Sequence, residues 1–254
     1  MSSPTHATQR SRLAATAYFV ALAGALIAAG GIAGVQLALW PPLAAFLLFA
    51  LGAGVFGFLA MNLGAVSVIR TRARFGPEDR RRSVTAASTG VALVAVLLLA
   101  ALGGAGKPRI NDISTDLVDP PAFVAAGSTV GPAPRDMSYP PAFAPVVEQF
   151  YPEVRPIELS APPEQAYARA VASARELGWR ITREDPAAGS FEATETSTVF
   201  RFVDDVAVRV RPEGDGARID VRSKSRDGQG DLGANAERIQ RFAAEIKLPP
   251  VASK

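Results

Sequence analysis

The chain has 254 residues, 27 Lys and Arg against 24 Asp and Glu, a net charge of +3, one histidine and no cysteine. The absence of cysteine excludes disulfides, thiolate nucleophiles and zinc-thiolate sites. With His6 as the only imidazole, Ser-His-Asp chemistry and histidine metal sites are excluded beyond the N-terminal tail. Much of the basic excess sits in one arginine-rich loop with no interleaved aromatic surface, so it does not read as a nucleic-acid site.

Residues 13–69 and 83–106 carry no charged side chain. A membrane-spanning helix needs about 20 mainly apolar residues, so the first stretch is long enough for two helices and the second for one. Trp40-Pro41-Pro42 supplies the turn, because proline cannot continue a helix and tryptophan suits the headgroup level. The predicted spans are 13–39, 43–69 and 84–102. The first apolar stretch far exceeds the roughly 7–15 residues of a signal-peptide core and runs directly into a second span, so it is expected to stay as an uncleaved anchor. Within the spans only Gln36, Asn62 and small hydroxyls are polar, whereas transport sites usually carry intramembrane ionisable groups.

Arg70, Arg72, Arg74, Arg80, Arg81 and Arg82 crowd the loop between the second and third spans, and the first turn has no charge. Basic loops stay in the cytoplasm. The expectation is a bacterial inner-membrane protein with a cytoplasmic tail (1–12), a three-helix region (13–106) and everything beyond it exported. Lys107 and Arg109 oppose this weakly and are soon followed by Asp112, Asp116 and Asp119.

Residues 107–156 are rich in Pro, Asp and Ser, and Pro-Pro-Ala-Phe occurs twice, at 120–123 and 140–143. This segment reads as an extended strap whose Phe123 and Phe143 dock on the following domain, or as a Pro-rich peptide offered to a partner. Residues 157–254 have the pattern of an α+β domain with an antiparallel sheet and two helices, in the helix-grip style. A short strand ends at Leu159. A helix opens at Pro162-Pro163, buries Tyr167, Ala170, Val171, Ala174 and Leu177 at helical spacing, and stops at Gly178. Strands are expected at 179–183, 190–195, 199–212 and 217–225, and a last helix at 235–246 with Ile239, Phe242, Ala243 and Ile246 as its stripe. Glu213-Gly214-Asp215-Gly216 closes a hairpin. A symmetric turn sets Val210 opposite Ile219, Val208 opposite Val221 and Val206 opposite Ser223 on one face. It sets Arg209 opposite Asp220 and Asp205 opposite Lys224 on the other.

Asp204 and Asp205, as strand neighbours, point to opposite faces and cannot act together as an acid/base pair. Asp205 is expected to pair with Lys224, while Asp204, on the valine side, needs a partner or a place at the sheet's end. The stretch 227–231, Asp-Gly-Gln-Gly-Asp, lacks the alternating acidic ligands and terminal glutamate of an EF-hand, so no metal is expected. No cofactor is expected either. Arg222, Ser223, Ser225 and Arg226 end the hairpin strand, Asn235 is placed to cap the last helix, and Arg226 with Arg238 can form a fork for phosphate or carboxylate. The same residues admit a purely structural account in which Asp231 and Asn235 cap and Arg226 or Arg238 pairs with Asp204 or Asp231.

The stretches INDISTD (110–116), DPPAF (119–123), GW (178–179), FRFVDDVAVRV (200–210) and DVRSKSRDGQGDLGANAERI (220–239) together resemble the domain of unknown function 1499 family, in its membrane-anchored form. The resemblance spans roughly residues 108–246. By position it implies marked residues at Asp112, Asp116, Asp204, Asp205, Asp220, Arg222, Ser223, Ser225, Arg226, Gly228, Asp231, Gly233, Asn235, Ala236 and Arg238, with Asn111 standing where many relatives carry histidine. It implies no reaction.

The chain is thus expected to be a membrane-anchored binding or scaffolding protein of the cell envelope. Its partners would be the lipid bilayer and another envelope protein or an anionic lipid or glycan. The alternative is an envelope hydrolase in which Asp112, Asp116, Asp204 and Asp231 converge near Arg226. An alkaline phosphatase fused to the C-terminus should be active in cells, whereas activity only from a cytoplasmic reporter would reverse the topology.

Overall fold

The computed structural model describes residues 10–71, 76–126 and 135–248. His6, Arg72 and Arg74 lie outside the described residues. The chain forms two compact units, one of residues up to Gly103 with Val199–Arg201, the other of the remainder.

In the first unit, α1 (Arg12–Gln36) is capped by the Ser11 hydroxyl, which accepts from the Ala14 amide at 3.2 Å. A continuous second span consists of α2 (Pro42–Ala50), a π-helical segment (Leu51–Phe56) and α3 (Gly57–Thr71), followed by α4 (Pro77–Leu102). All three spans are long and apolar enough to cross a membrane. The third begins at Pro77, not near residue 84, so Arg80, Arg81 and Arg82 lie on its first turns and not in a loop. Proline is pre-organised for the first turn, and Glu78 and Asp79 complement the helix dipole there. Small residues bring the helices together: a methyl added to Gly52 would sit 2.5 Å from the Gly24 carbonyl, and one on Gly90 would sit 2.4 Å from the Met61 amide.

The second unit is an antiparallel sheet of β1 (Asp112–Ser114), β2 (Ile157–Leu159), β3 (Arg180–Asp185), β4 (Ser190–Thr196), β5 (Val203–Glu213) and β6 (Gly216–Ser225). The order is β1-β6-β5-β4-β3, and β2 shares with β1 the outer edge of β6. Helices α5 (Ala144–Phe150), α6 (Pro163–Glu176) and α7 (Ala234–Glu245) complete the unit. The hairpin register is the symmetric one: Val210 opposite Ile219, Val208 opposite Val221, Val206 opposite Ser223, Arg209 opposite Asp220 and Asp205 opposite Lys224. β5 starts later than the run of apolar residues suggests, because Arg201 is left-handed (φ 58°) and Ser197 closes the β4–β5 connection by accepting the Phe202 amide. The stretch expected to be an extended strap contains β1, a 3-10 turn (Pro141–Phe143) and α5. Helix follows the second Pro-Pro pair because prolines are tolerated in a first turn.

The core lies on one face of the sheet. Ile113, Phe191, Val206, Val208, Ile219 and Val221 meet Tyr167, Ala170, Val171 and Ala174 of α6 and Ile239 and Phe242 of α7. Phe242 is fully buried and stacks on Trp179 at 5.0 Å. Phe242→Ala should therefore cost about 3–5 kcal/mol, measured by denaturant unfolding with Trp179 fluorescence as the probe.

Candidate functional site

Alternation along β6 sends Ile219, Val221, Ser223 and Ser225 toward the helices and Arg218, Asp220, Arg222 and Lys224 to the opposite face. That opposite face is charged, and residues 115–126 and 135–139 lie across it. At its centre Arg222, 2% exposed, donates to both oxygens of the fully buried Asp112, Nε to Oδ1 at 2.9 Å and Nη2 to Oδ2 at 2.7 Å. Two further N–H groups meet the carbonyls of Pro121 (Nη1, 3.3 Å) and Met137 (Nη2, 2.8 Å). The rings of Phe123 and Tyr139 lie 4.8 and 5.3 Å from the guanidinium carbon. Phe123 is thus docked, as expected of the strap, but on a cation; Phe143 packs against the hydrophobic core.

Lys224 donates to Asp112 at 2.9 Å and not to Asp205. β1 pairs with β6 so that Asp112 lies directly opposite Lys224, which places a second carboxylate beside the lysine. Asp205 instead receives Arg226 at 2.7 Å, together with Arg135. Further along, Asp116 accepts from Arg209 (3.3 Å), Arg211 (2.9 Å) and Arg218 (3.2 Å), and the fully buried Asp220 accepts from the same three arginines. Burial works to raise the Asp116 carboxyl. The amides of Asp119 and Val118 and the guanidinium groups of Arg211 and Arg218 outweigh it and hold the group below its ordinary value. Glu192 accepts the amides of Val124, Ala125 and Ala126 at 2.8, 2.9 and 3.0 Å, pinning the strap at a second point.

On the helix face, Asn235 is fully buried. It accepts from Ser223 (2.7 Å) and Arg238 (2.6 Å) and donates to Ser225 (3.0 Å) and the Asn111 carbonyl (3.2 Å). Asn235 is therefore not the helix cap: α7 begins at Ala234, and Asp231 accepts the amides of Gly233 and Asn235, each at 2.9 Å. Gly233 sits at the cap with φ 90°, a conformation that glycine adopts without penalty, and this turns Asn235 inward. Burial raises the Asp231 carboxyl, opposed by those amides and reinforced by Asp204. Arg238 supplies the partner that Asp204 requires, at 2.5 Å, and also binds Glu195. Tyr151, 2% exposed, has its hydroxyl raised to about 12 by burial, with Asp231 and Glu153 adding to the shift.

The arginine fork is not formed. Arg226 follows Asp205 to the strap face and Arg238 follows Asp204 to the helix face, because adjacent residues of β5 point to opposite sides. For the same reason the four carboxylates do not converge near Arg226: Asp112 and Asp116 lie on the strap face, Asp204 and Asp231 on the helix side. A cleft of about 230 Å³ lies where Pro121, Ala122 and Val124 meet Arg183, Ala188 and Glu192, and another of about 450 Å³ lies at the β5–β6 turn beside Glu158, Glu213 and Asp215. Neither is lined by Arg222, Ser223, Ser225, Arg226, Asp231, Asn235, Arg238, Asp204, Asp112 or Asp116. Sequence reasoning missed Arg135, Tyr139, Glu192 and Glu195. Period-2 alternation assigns Glu192 and Glu195 to faces, but no local pattern indicates which strap atoms meet the sheet.

Residues 112–246, more than half of the chain, match the family described as Protein of unknown function (DUF1499). No curated protein matches the chain. The matched region opens on Asp112, the residue that holds Arg222.

Asp112→Asn leaves a buried guanidinium short of its counter-charge and should destabilise the second unit by about 3–5 kcal/mol. Replacing both partners, Asp112→Leu with Arg222→Met, should recover much of that loss in the same denaturation assay.

Proposed function

The chain belongs to the DUF1499 family, and we propose that it is an integral inner-membrane protein whose C-terminal domain is exported and binds or scaffolds another component of the cell envelope without catalysing a reaction. One observation supports this above others: the carboxylates a hydrolase would need are held as ion-pair acceptors or as a helix cap. Asp112 holds Arg222 and Lys224, Asp116 holds three arginines, Asp204 holds Arg238, and Asp231 caps α7. The amides and guanidinium groups around Asp116 hold its carboxyl below its ordinary value, which makes it a poor proton donor. The partner on this reading is another envelope protein or an anionic lipid or glycan. The orientation follows from the arginines at the α3–α4 end of the helical unit, which basic-side retention keeps in the cytoplasm.

In-cell crosslinking of the full-length protein, followed by mass spectrometry, should return an envelope component attached through the C-terminal domain. A hydrolytic activity of the purified protein that Asp116→Asn or Asp231→Asn abolishes without unfolding it would replace this reading with the hydrolase.

A further inference from the structure

The loop 226–233, between β6 and α7, is tied along its length to residues 104–111, the chain that leaves α4. The Asn111 amide group donates to the Gly228 carbonyl at 2.7 Å, and the Asn111 carbonyl accepts from the Ser225 amide at 2.8 Å. The Ile110 carbonyl accepts from the Asp231 amide at 3.1 Å, and Arg109 donates to the Gln229 side chain at 3.3 Å. The aliphatic stem of Lys107 crosses Gly233, where an added methyl would meet Cε at 3.3 Å, and Lys107 Nζ lies 5.5 Å from the Tyr151 ring centre. At the far end Leu232 lies on Gly104, where an added methyl would meet Leu232 Cδ2 at 2.5 Å.

Gly104 follows α4 by two residues, a reach of about 7 Å at most. Leu232 is therefore held close to the point where the chain leaves its third apolar helix. Two costs coincide at this residue. It is a large apolar side chain 60% exposed, and its backbone is left-handed at φ 55°, a region that non-glycine residues rarely adopt. Strain of this kind persists where the surrounding structure enforces it and tends to mark functional positions. Lys107, at Gly233, and Arg109, at Gln229 and Gly230, are both exposed, and the loop carries two partly exposed acids, Asp227 and the capping Asp231.

We propose that this loop is a membrane-surface docking site, in which Leu232 enters the headgroup layer and Lys107 and Arg109 face anionic lipid. The partner is the bilayer that the helices cross, not a protein. An apolar residue flanked by basic ones, tethered at the interface, gains both from burial and from attraction to anionic headgroups. The proposal rests on α4 spanning the membrane and is independent of which side the domain occupies and of whether it catalyses.

The chain lacks cysteine, so a single introduced thiol can be labelled in the full-length protein. The experiment places a nitroxide on Leu232→Cys, with Asp215→Cys as the reference, in liposomes containing phosphatidylglycerol. Asp215 lies at the opposite end of β6, about 30 Å away at about 3.3 Å per residue. The label at 232 should be relaxed by oxygen more than by an aqueous nickel chelate, and the label at 215 the reverse. Adding Lys107→Glu and Arg109→Glu should shift the label at 232 toward water in anionic liposomes and leave it unchanged in neutral ones. A label at 232 as open to the nickel chelate as that at 215 overturns the proposal. So does one shielded from both relaxants, which indicates a covering protein surface. Crosslinking to an envelope protein elsewhere on the domain would leave the scaffold reading standing in either case.

Discussion

The arrangement of the C-terminal unit depends on a buried guanidinium. Arg222 projects from the middle of β6 to the side of the sheet away from the helices, where it is almost wholly removed from water. A charge in that position must be neutralised and each of its donors satisfied. Asp112 does the first through a two-point contact, the carbonyls of Pro121 and Met137 take two more N–H groups, and the rings of Phe123 and Tyr139 lie against the guanidinium. These groups come from β1 and from the residues between β1 and α5, so one side chain determines where β1 and the strap lie.

The two faces of the sheet are consequently held by different physics. The helix face is an apolar core of the ordinary kind, with one polar inset in which Asn235 joins α7 to Ser223 and Ser225. The strap face is a lattice of arginines and carboxylates closed over by backbone. Exchanging such a buried pair for hydrophobic residues often costs nothing, while removing one partner is expensive. Its effect is therefore to discriminate: a strap shifted by one residue would leave Arg222 or Glu192 buried without partners. The depressed Asp116 carboxyl follows from the same geometry, since three arginines and two amides converge on it.

The residues of the GQGD-centred stretch are mostly absorbed by this framework. Arg222 and Arg226 hold the strap face, Ser223, Ser225, Asn235 and Arg238 hold the junction with α7, and Asp231 caps it. The proposed scaffold function follows from that use of the charges. The large apolar side chain in the stretch that this framework does not absorb is Leu232, which is exposed on a strained backbone.

Local pattern was sufficient for much of this chain. Long uncharged runs identify the three spans, helical spacing identifies α6 and α7, and period-2 alternation about the Gly214-Asp215 turn determines the β5–β6 register pair by pair. Alternation also separates Asp204 from Asp205, because neighbouring strand residues cannot share a face. The start of α4, the helix inside the strap and the partners of the charges were not legible in this way. Asp205 and Lys224 stand opposite each other in the register, yet each takes its ion pair from elsewhere, Arg226 with Arg135 and Asp112 respectively. The sequence by itself determined which residues face which side. Only the tertiary structure decided which charge meets which, because ion pairing is settled by segments distant in the chain that converge on one face, and their approach leaves no periodic trace in the residues themselves.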